Sequence, residues 1–305
     1  MADQLRALIT PALLNLVVDT VIPFSPTEPL DFAIIAGNLL GAGPPLASDV
    51  VQAVWPILVS LSKLGLGNIP DLTTFLPPSS DPQFPRQALG LQLLVDQMPR
   101  RLCKGIDARW TNAYFDVISL RYAQTLDALP VEVAEKPASW GRWKALGTTL
   151  GYWVLVRTWF VAPFVHTDQV AIQERALALT EETRRQVEEV TRTTDPYRAQ
   201  REAILSDVYG FPRVFAAGPP KEVATVQDYT YWMCMLMDVH KPIVDRFGRY
   251  PYRNAYFGRD DTPEEEEWFE RTGGFARPSP EVRERLRRDI DAGVWLPLGA
   301  EKSGR

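Results

Sequence analysis

The chain is poor in the residues that build metal and redox centres: its 305 residues contain two histidines and two cysteines. Two cysteines, Cys103 and Cys234, are too few for a disulfide framework or a cysteine-rich zinc module. Two imidazoles, His166 and His240, exclude any site that needs three from one chain. Surplus basic charge is missing as well. Lys and Arg number 33 against 38 Asp and Glu, a net charge of −5. That excludes the basic face that neutralises nucleic-acid phosphates and the polybasic patch that binds anionic membranes. The longest uncharged apolar stretch, 32–48, contains Asn38, three glycines and Pro44-Pro45. It is too short and too broken for the ~20 residues of a bilayer helix. Residues 7–18 are apolar, but Asp3 precedes them, Arg6 is the sole base, and Pro11 and Asn15 interrupt them, a poor secretory signal. A soluble, cytoplasmic protein is the expectation. There is no Gly-rich dinucleotide fingerprint, Walker loop, G-x-S-x-G elbow or H-E-x-x-H helix. No cofactor is therefore expected.

What is present is a 46% hydrophobic composition with 26 prolines, which implies a full core cut into short elements. Residues 1–90 carry 3 basic and 7 acidic side chains, against 30 and 31 in 91–305. The pattern predicts an apolar, Pro/Gly-rich helical extension over 1–85, packed on a main helical domain over 86–305 as one structural unit. Short helices are expected near 4–18 and 48–64, with a Gly41-to-Pro45 turn between them and a loop over 70–85. Trp110, Ala113, Val117 and Leu120 mark one face of a further helix. The run from Trp140 to Phe160 is punctuated by Gly147 and Gly151. Over 167–191, Ile172, Ala176, Leu179, Thr183, Val187 and Val190 make a core stripe, with Glu181/Arg185 and Arg184/Glu188 pairing on the outer face. Thr262-Pro263-Glu264-Glu265 reads as a capping box, Gly273-Gly274 stops that helix, and Pro280 opens another. The fold class is all-α, an antiparallel helical domain.

Three blocks collect the rare polar residues. The first, Asp96-Gln97-Met98-Pro99-Arg100-Arg101, lies where Pro99 should end or kink an apolar helix. In the second, Phe160 to Gln169, a hydrophobic approach reaches His166, and Thr167 or Asp168 is placed to cap the following helix. The third, His240 to Arg259, interleaves arginines with aromatics. In this order the blocks resemble the domain-of-unknown-function family 924 over about 86–270. The resemblance implies an all-helical, tetratricopeptide-repeat-like fold and a cluster of Asp96, Gln97, Pro99, Arg100, His166, Asp168, Gln173, Glu174, His240, Arg249, Arg253, Asn254 and Arg259. It carries no established reaction. The chain departs from the pattern at Tyr252, where a second His is usual, and at Arg101, where an Asn is usual. An apolar N-terminal third replaces the usual aromatic-rich start, as in a diverged, specialised member.

Each candidate has a structural and a functional reading. The arginines can stack on aromatics and pin helices through pairs such as Asp96 with Arg100 or Arg249. Alternatively, two of them fork onto a carboxylate or phosphate. His166 is either a core histidine on a backbone carbonyl or a general acid/base held by Asp96 or Asp168. His240, beside Asp238 and Lys241, is expected mid-helix and easily exposed. Trp140, Trp143, Trp153 and Trp159 are core, or wall an apolar pocket. Cys103 and Cys234 are small buried hydrophobes before they are nucleophiles. The first functional expectation is a cofactor-independent enzyme acting on a small apolar molecule with a carboxylate or carbonyl, such as a secondary-metabolite cyclase or isomerase, a pericyclic one included. Its catalytic groups would be His166, Asp168 and Asp96, and its substrate-binding groups Arg100, Arg249, Arg253, Asn254, Arg259, His240, Tyr252 and Trp159. One alternative is a peptide- or protein-interaction module, or homodimer, that docks through 1–85. The other is a metal-dependent hydrolase built on both histidines with Asp96, Asp168 or Asp238.

Overall fold

A computed structural model describes residues 2–39, 45–129 and 136–300; Gly41 to Pro44 of the expected turn lie outside them. Every regular element among the described residues is helical, so the chain is all-α. None of these helices is long and apolar enough to cross a membrane.

The N-terminal apolar segment forms two helices, α1 (Ala2–Leu8) and α2 (Pro11–Val21). They separate because the Thr10 hydroxyl accepts from Leu13 N at 3.2 Å and Pro11 opens the second helix. Helix α3 (Phe32–Leu39) and helix α4 (Ser48–Ser62) follow, and then the long α5 (Phe84–Leu102). Contrary to the sequence reading, Pro99 does not end α5. Cys103 N bonds back to the Pro99 carbonyl at 2.8 Å, and buried Val95, Met98 and Pro99 hold the turn in place. Helix α2 lies directly on α5, where a Cβ on Gly90 would come within 2.3 Å of the Leu14 carbonyl oxygen. Glycine is required there for the two backbones to meet.

Helices α6 (Ala108–Trp110) and α7 (Asp116–Asp127) are joined by a π-helical turn, Thr111–Phe115. The wider turn rotates the buried face, so the expected stripe through Ala113 and Val117 is replaced by Trp110, Tyr114, Ile118 and Tyr122. After α8 (Trp140–Ala145), α9 (Leu150–Val165) is largely apolar and buried from Gly151 to Val165 except at Trp159. It runs through the middle of the molecule, touching α5, α7 and α8. Gly147, with φ of +78°, makes the break before α9. Gly151 makes none: it is helical and takes the Phe32 ring at 3.1 Å from its would-be Cβ.

Four residues connect α9 to α10 (Val170–Thr191). The α10 stripe is buried at Ala176, Leu179, Thr183 and Val187 but not at Val190, which is 46% exposed. Its N-cap is Gln169, because the Asp168 carboxylate turns toward arginines instead. Glu181–Arg185 forms at 2.8 Å, whereas Arg184 is buried against Asp195 and Asp238, and Glu188 pairs with Arg198. Short helices α11 (Arg201–Ser206) and α12 (Gly210–Ala217) lead to α13 (Val226–Asp238) and α14 (Lys241–Phe247). The chain finishes with α15 (Asn254–Phe257), α16 (Pro263–Arg271), which has the expected Thr262–Glu265 capping box, and α17 (Pro280–Asp291).

One core cluster runs from Leu5 to Leu298, and a smaller one around Ile243, Tyr250 and Trp268 lies under the C-terminal elements. Leu5, Leu14, Val17, Val18, Ile57 and Leu61 are spent on the main core. These six side chains of residues 1–85 face the core rather than solvent. Substituting Gly90→Ala should overpack the α2–α5 contact and cost about 1–3 kcal/mol. The check is urea unfolding, where a lower midpoint at unchanged slope is expected and a wild-type midpoint would refute the backbone contact.

Candidate functional site

Three helix ends converge below the middle of the fold. Asp96 comes from the last turns of α5, Asp116 from the residue that follows the π turn, and His166 from the C-cap of α9. The Asp96 side chain is 1% exposed and that of His166 23%. His166 Nδ1 lies 3.2 Å from Asp96 Oδ1. The same oxygen accepts from Ser119 Oγ at 3.0 Å, Ser119 is in turn held by Gln92 Nε2 at 2.8 Å, and Gln97 donates to the other oxygen. Arg100, one turn along α5, stands 3.7 Å from Asp96 and in close contact with Asp116.

Burial alone would raise the Asp96 pKa, but the His166 and Arg100 charges outweigh it and hold the carboxyl well below the usual carboxylate range. An ionised Asp96 accepts, so the hydrogen between the two groups sits on His166 Nδ1. Asp116 differs: burial pushes its carboxyl upward against the pull of Arg100 and Arg253.

A second ring of contacts closes over this pair. Arg253 Nη1 donates to the His166 carbonyl at 2.7 Å and to Asp168 Oδ1 at 3.3 Å. Its Nη2 reaches the Asn112 carbonyl at 2.5 Å and Asp116 Oδ2 at 3.1 Å. Arg259 Nη1 takes the other Asp168 oxygen at 2.8 Å, and Tyr250 N donates to Asp168 Oδ1 at 3.3 Å. His240 is buried rather than exposed, because it sits at the break between α13 and α14, not mid-helix. Its Nδ1 donates to the Leu236 carbonyl at 2.9 Å, and its ring lies 3.7 Å from that of Phe211. Burial, with the nearby His166 charge adding to it, pushes the His240 pKa down to about 3, so the ring is neutral.

The structure thus brings together Asp96, Arg100, His166, Asp168, Arg253 and Arg259, with His240 and Tyr252 alongside. Asp96, not Asp168, orients His166. Three candidates lie apart. Arg249 forks onto Glu265 at 2.7 and 2.8 Å, and Asn254 Nδ2 donates to Asp261 at 2.8 Å. Trp159 stands two helical turns, about 10 Å, before His166 on α9. Sequence reasoning missed Asp116, Ser119 and Gln92. The available signal was that Asp116 is the one charged residue between Trp110 and Leu120.

Asp96, Asp116 and His166 each offer a ligand atom, all within 4.8 Å of one another, a donor set of the kind that suits a divalent cation. The Arg100 guanidinium already pairs with both carboxylates. Neither His240 nor Asp168 joins this set, and Asp238 is engaged by Arg184 and Arg201. Burial pushes both Cys103 and Cys234 up to about 12, so neither is a ready nucleophile.

A family model described as a bacterial protein of unknown function, DUF924, matches residues 78–273. The chain belongs to this family. The matched DUF924 region begins ahead of α5, runs past α16 and contains every residue of the cluster, while α1–α4 precede it. No match was found among curated proteins or among solved structures.

The His240 environment sets an acid limit on the stability of this DUF924 protein. Its folded-state pKa of about 3 lies below the ~6.5 of an unfolded-chain histidine, so the unfolded chain takes the proton first. The contribution is complete above pH ~6.5 and declines as the pH falls toward 3. His240→Asn keeps a donor for the Leu236 carbonyl and removes the titration. Between pH 6.5 and 5 the wild type should lose about 2 kcal/mol more than this variant in urea unfolding. Equal losses would show that His240 is protonated in the fold.

Proposed function

We propose that this DUF924 protein is an acid–base enzyme with no nucleotide cofactor that acts on a small, largely apolar molecule bearing a carbonyl or carboxylate. Its reaction is of the isomerase, lyase or cyclase kind, as in the tailoring of secondary metabolites. The observation that carries the reading is the buried, ionised Asp96 held 3.2 Å from Nδ1 of a partly exposed His166. A carboxylate so placed fixes the imidazole tautomer and stabilises the imidazolium formed when Nε2 takes a proton.

The surrounding charges suit the same chemistry. Asp96, Asp116 and Asp168 face Arg100, Arg253 and Arg259, a balanced set of paired charges. Protonation of His166 leaves an excess positive charge next to the substrate, which favours an enolate or similar anionic intermediate. Arg100 and Arg259, 28% and 31% exposed, are the guanidinium groups positioned to attract a substrate carboxylate.

Proton abstraction next to a carbonyl can be read without knowing the natural product. Incubation in D2O with a panel of keto acids, from phenylpyruvate to levulinate, should give enzyme-dependent deuterium incorporation measured by proton NMR. His166→Gln should reduce it at least 100-fold and Asp96→Asn by 10²- to 10⁴-fold. No incorporation above buffer across the panel, or full activity in His166→Gln, would overturn the reading.

A further inference from the structure

The pairing of charges around His166 has one poorly fitted member. Arg100 is held through Nη2, which is in close contact with Asp116 and stands 3.7 Å from Asp96. Its Nε is buried and has no hydrogen-bond partner among the described residues. The guanidinium thus forgoes part of the forked bonding that makes arginine–carboxylate pairs strong. Asp96 and Asp116 are buried, whereas the Arg100 side chain is partly exposed. A long side chain that already reaches water has a way out that leaves its helix unchanged.

What Arg100 covers is a mixed donor set. Oxygens of Asp96 and Asp116 and a ring nitrogen of His166 lie within 4.8 Å of one another, and Nδ1 of His166 is 3.2 Å from Asp96 Oδ1. The three are mounted on different packed elements, α5, the start of α7 and the end of α9. Outer contacts fix both carboxylates, as they do in metal sites: Ser119 Oγ donates to Asp96 at 3.0 Å and Arg253 Nη2 to Asp116 at 3.1 Å. Two carboxylates with an imidazole suit zinc, cobalt or nickel, whereas magnesium and calcium take oxygen ligands. Among the described residues no further His, Cys, Asp or Glu joins the set, so water would complete the coordination.

We infer that Asp96, Asp116 and His166 Nδ1 form a site for a divalent transition metal of the zinc kind, which Arg100 covers and whose occupation switches His166 off as a base. As the metal enters, the Arg100 guanidinium turns to solvent, and a double positive charge replaces a single one on the two carboxylates. The hydrogen between His166 and Asp96 leaves Nδ1, because the metal takes the lone pair of that nitrogen. From a doubly protonated ring it passes to solvent, and from a singly protonated ring it moves to Nε2. Either way Nε2 ends with a hydrogen and no lone pair to receive one from a substrate. No electron is transferred. Binding stands on the donor geometry alone, and the loss of the base rests on the acid–base reading above.

The test is calorimetric titration of the whole chain with zinc chloride, after treatment with EDTA and its removal by gel filtration. One zinc ion per chain should bind. Arg100→Met, which keeps an apolar stem and removes the covering charge, should bind it at least tenfold tighter. Asp116→Asn and His166→Gln should each weaken binding at least 100-fold. In the wild type, cobalt(II) should give the visible bands of nitrogen and oxygen ligation without a thiolate band, since neither cysteine is in the donor set, and zinc should displace it. Saturating zinc should slow deuterium exchange at least 100-fold, and EDTA should restore it. The site is overturned by undiminished affinity in His166→Gln, or by no one-site binding below about 0.1 mM in both the wild type and Arg100→Met. Stoichiometric binding with exchange unchanged or raised would overturn the switch. Absence of exchange in the metal-free wild type would fail the acid–base reading, and the titrations would still decide the site.

Discussion

A buried guanidinium clasps residues 250–259 to the ends of the central helices. Arg253, with its side chain 6% exposed, reaches four oxygens with its two terminal nitrogens: the Asn112 and His166 carbonyls and the carboxylates of Asp116 and Asp168. A charge taken this far from water is tolerable only when it is paired and hydrogen-bonded. Those partners come from the π turn and from the α9–α10 connection, so satisfying Arg253 fixes both segments against residues 250–259. Tyr250 and Arg259 reinforce the same joint through Asp168. Loss of this clasp would remove the donor to the His166 carbonyl and leave Asp116 and Asp168 with less compensating charge.

The site's rigidity follows from where its parts are mounted. Asp96 sits inside α5, which is packed on α2 and α9, and His166 terminates a helix whose every residue from Gly151 to Val165 is buried except Trp159. A carboxylate and an imidazole held on packed helices keep their geometry more precisely than groups on loops. The inner hydrogen-bond chain, Gln92 to Ser119 to Asp96, leaves the carboxylate no alternative orientation. The apolar N-terminal helices support this from behind. Gly90 lets α2 approach the same α5 that presents Asp96 six residues later.

What was readable in the sequence was local chemistry, and what was not was long-range pairing. The three blocks of rare polar residues could be found because Asp96, His166 and Arg253 interrupt apolar or aromatic surroundings, and all three do meet in space. Which acid serves which base could not be read. Asp168, two residues from His166, was as plausible an orienter as Asp96, seventy residues away, until Arg253 and Arg259 were seen to claim it. Asp116 was overlooked because a 3.6-residue period places the wrong face inward, and only the π turn brings it to Arg100. The partners of Arg249 and Arg184 were not readable for a related reason. An arginine's partner is set by burial, and Glu265 and Asp238 become buried only after distant helices pack. The helix starts at Pro263, capped by Thr262, and at Pro280 were legible because such starts are decided within four residues.

The two histidines show how one residue type is assigned opposite tasks by its surroundings. Both sit at helix breaks, and each has its Nδ1 engaged, which frees Nε2 in both. The difference lies in the partner. His240 is buried against Phe211 with only backbone carbonyls as partners, too little to offset the loss of water around a charged ring, so it stays neutral far below physiological pH. His166 faces an ionised carboxylate whose burial is offset chiefly by the charges of His166 and Arg100. A proton on His240 would strand a charge, since its Nδ1 meets only backbone carbonyls. Of the two imidazoles only His166 has its Nδ1 against a carboxylate, and the neutral His240 adds no positive charge to the cluster.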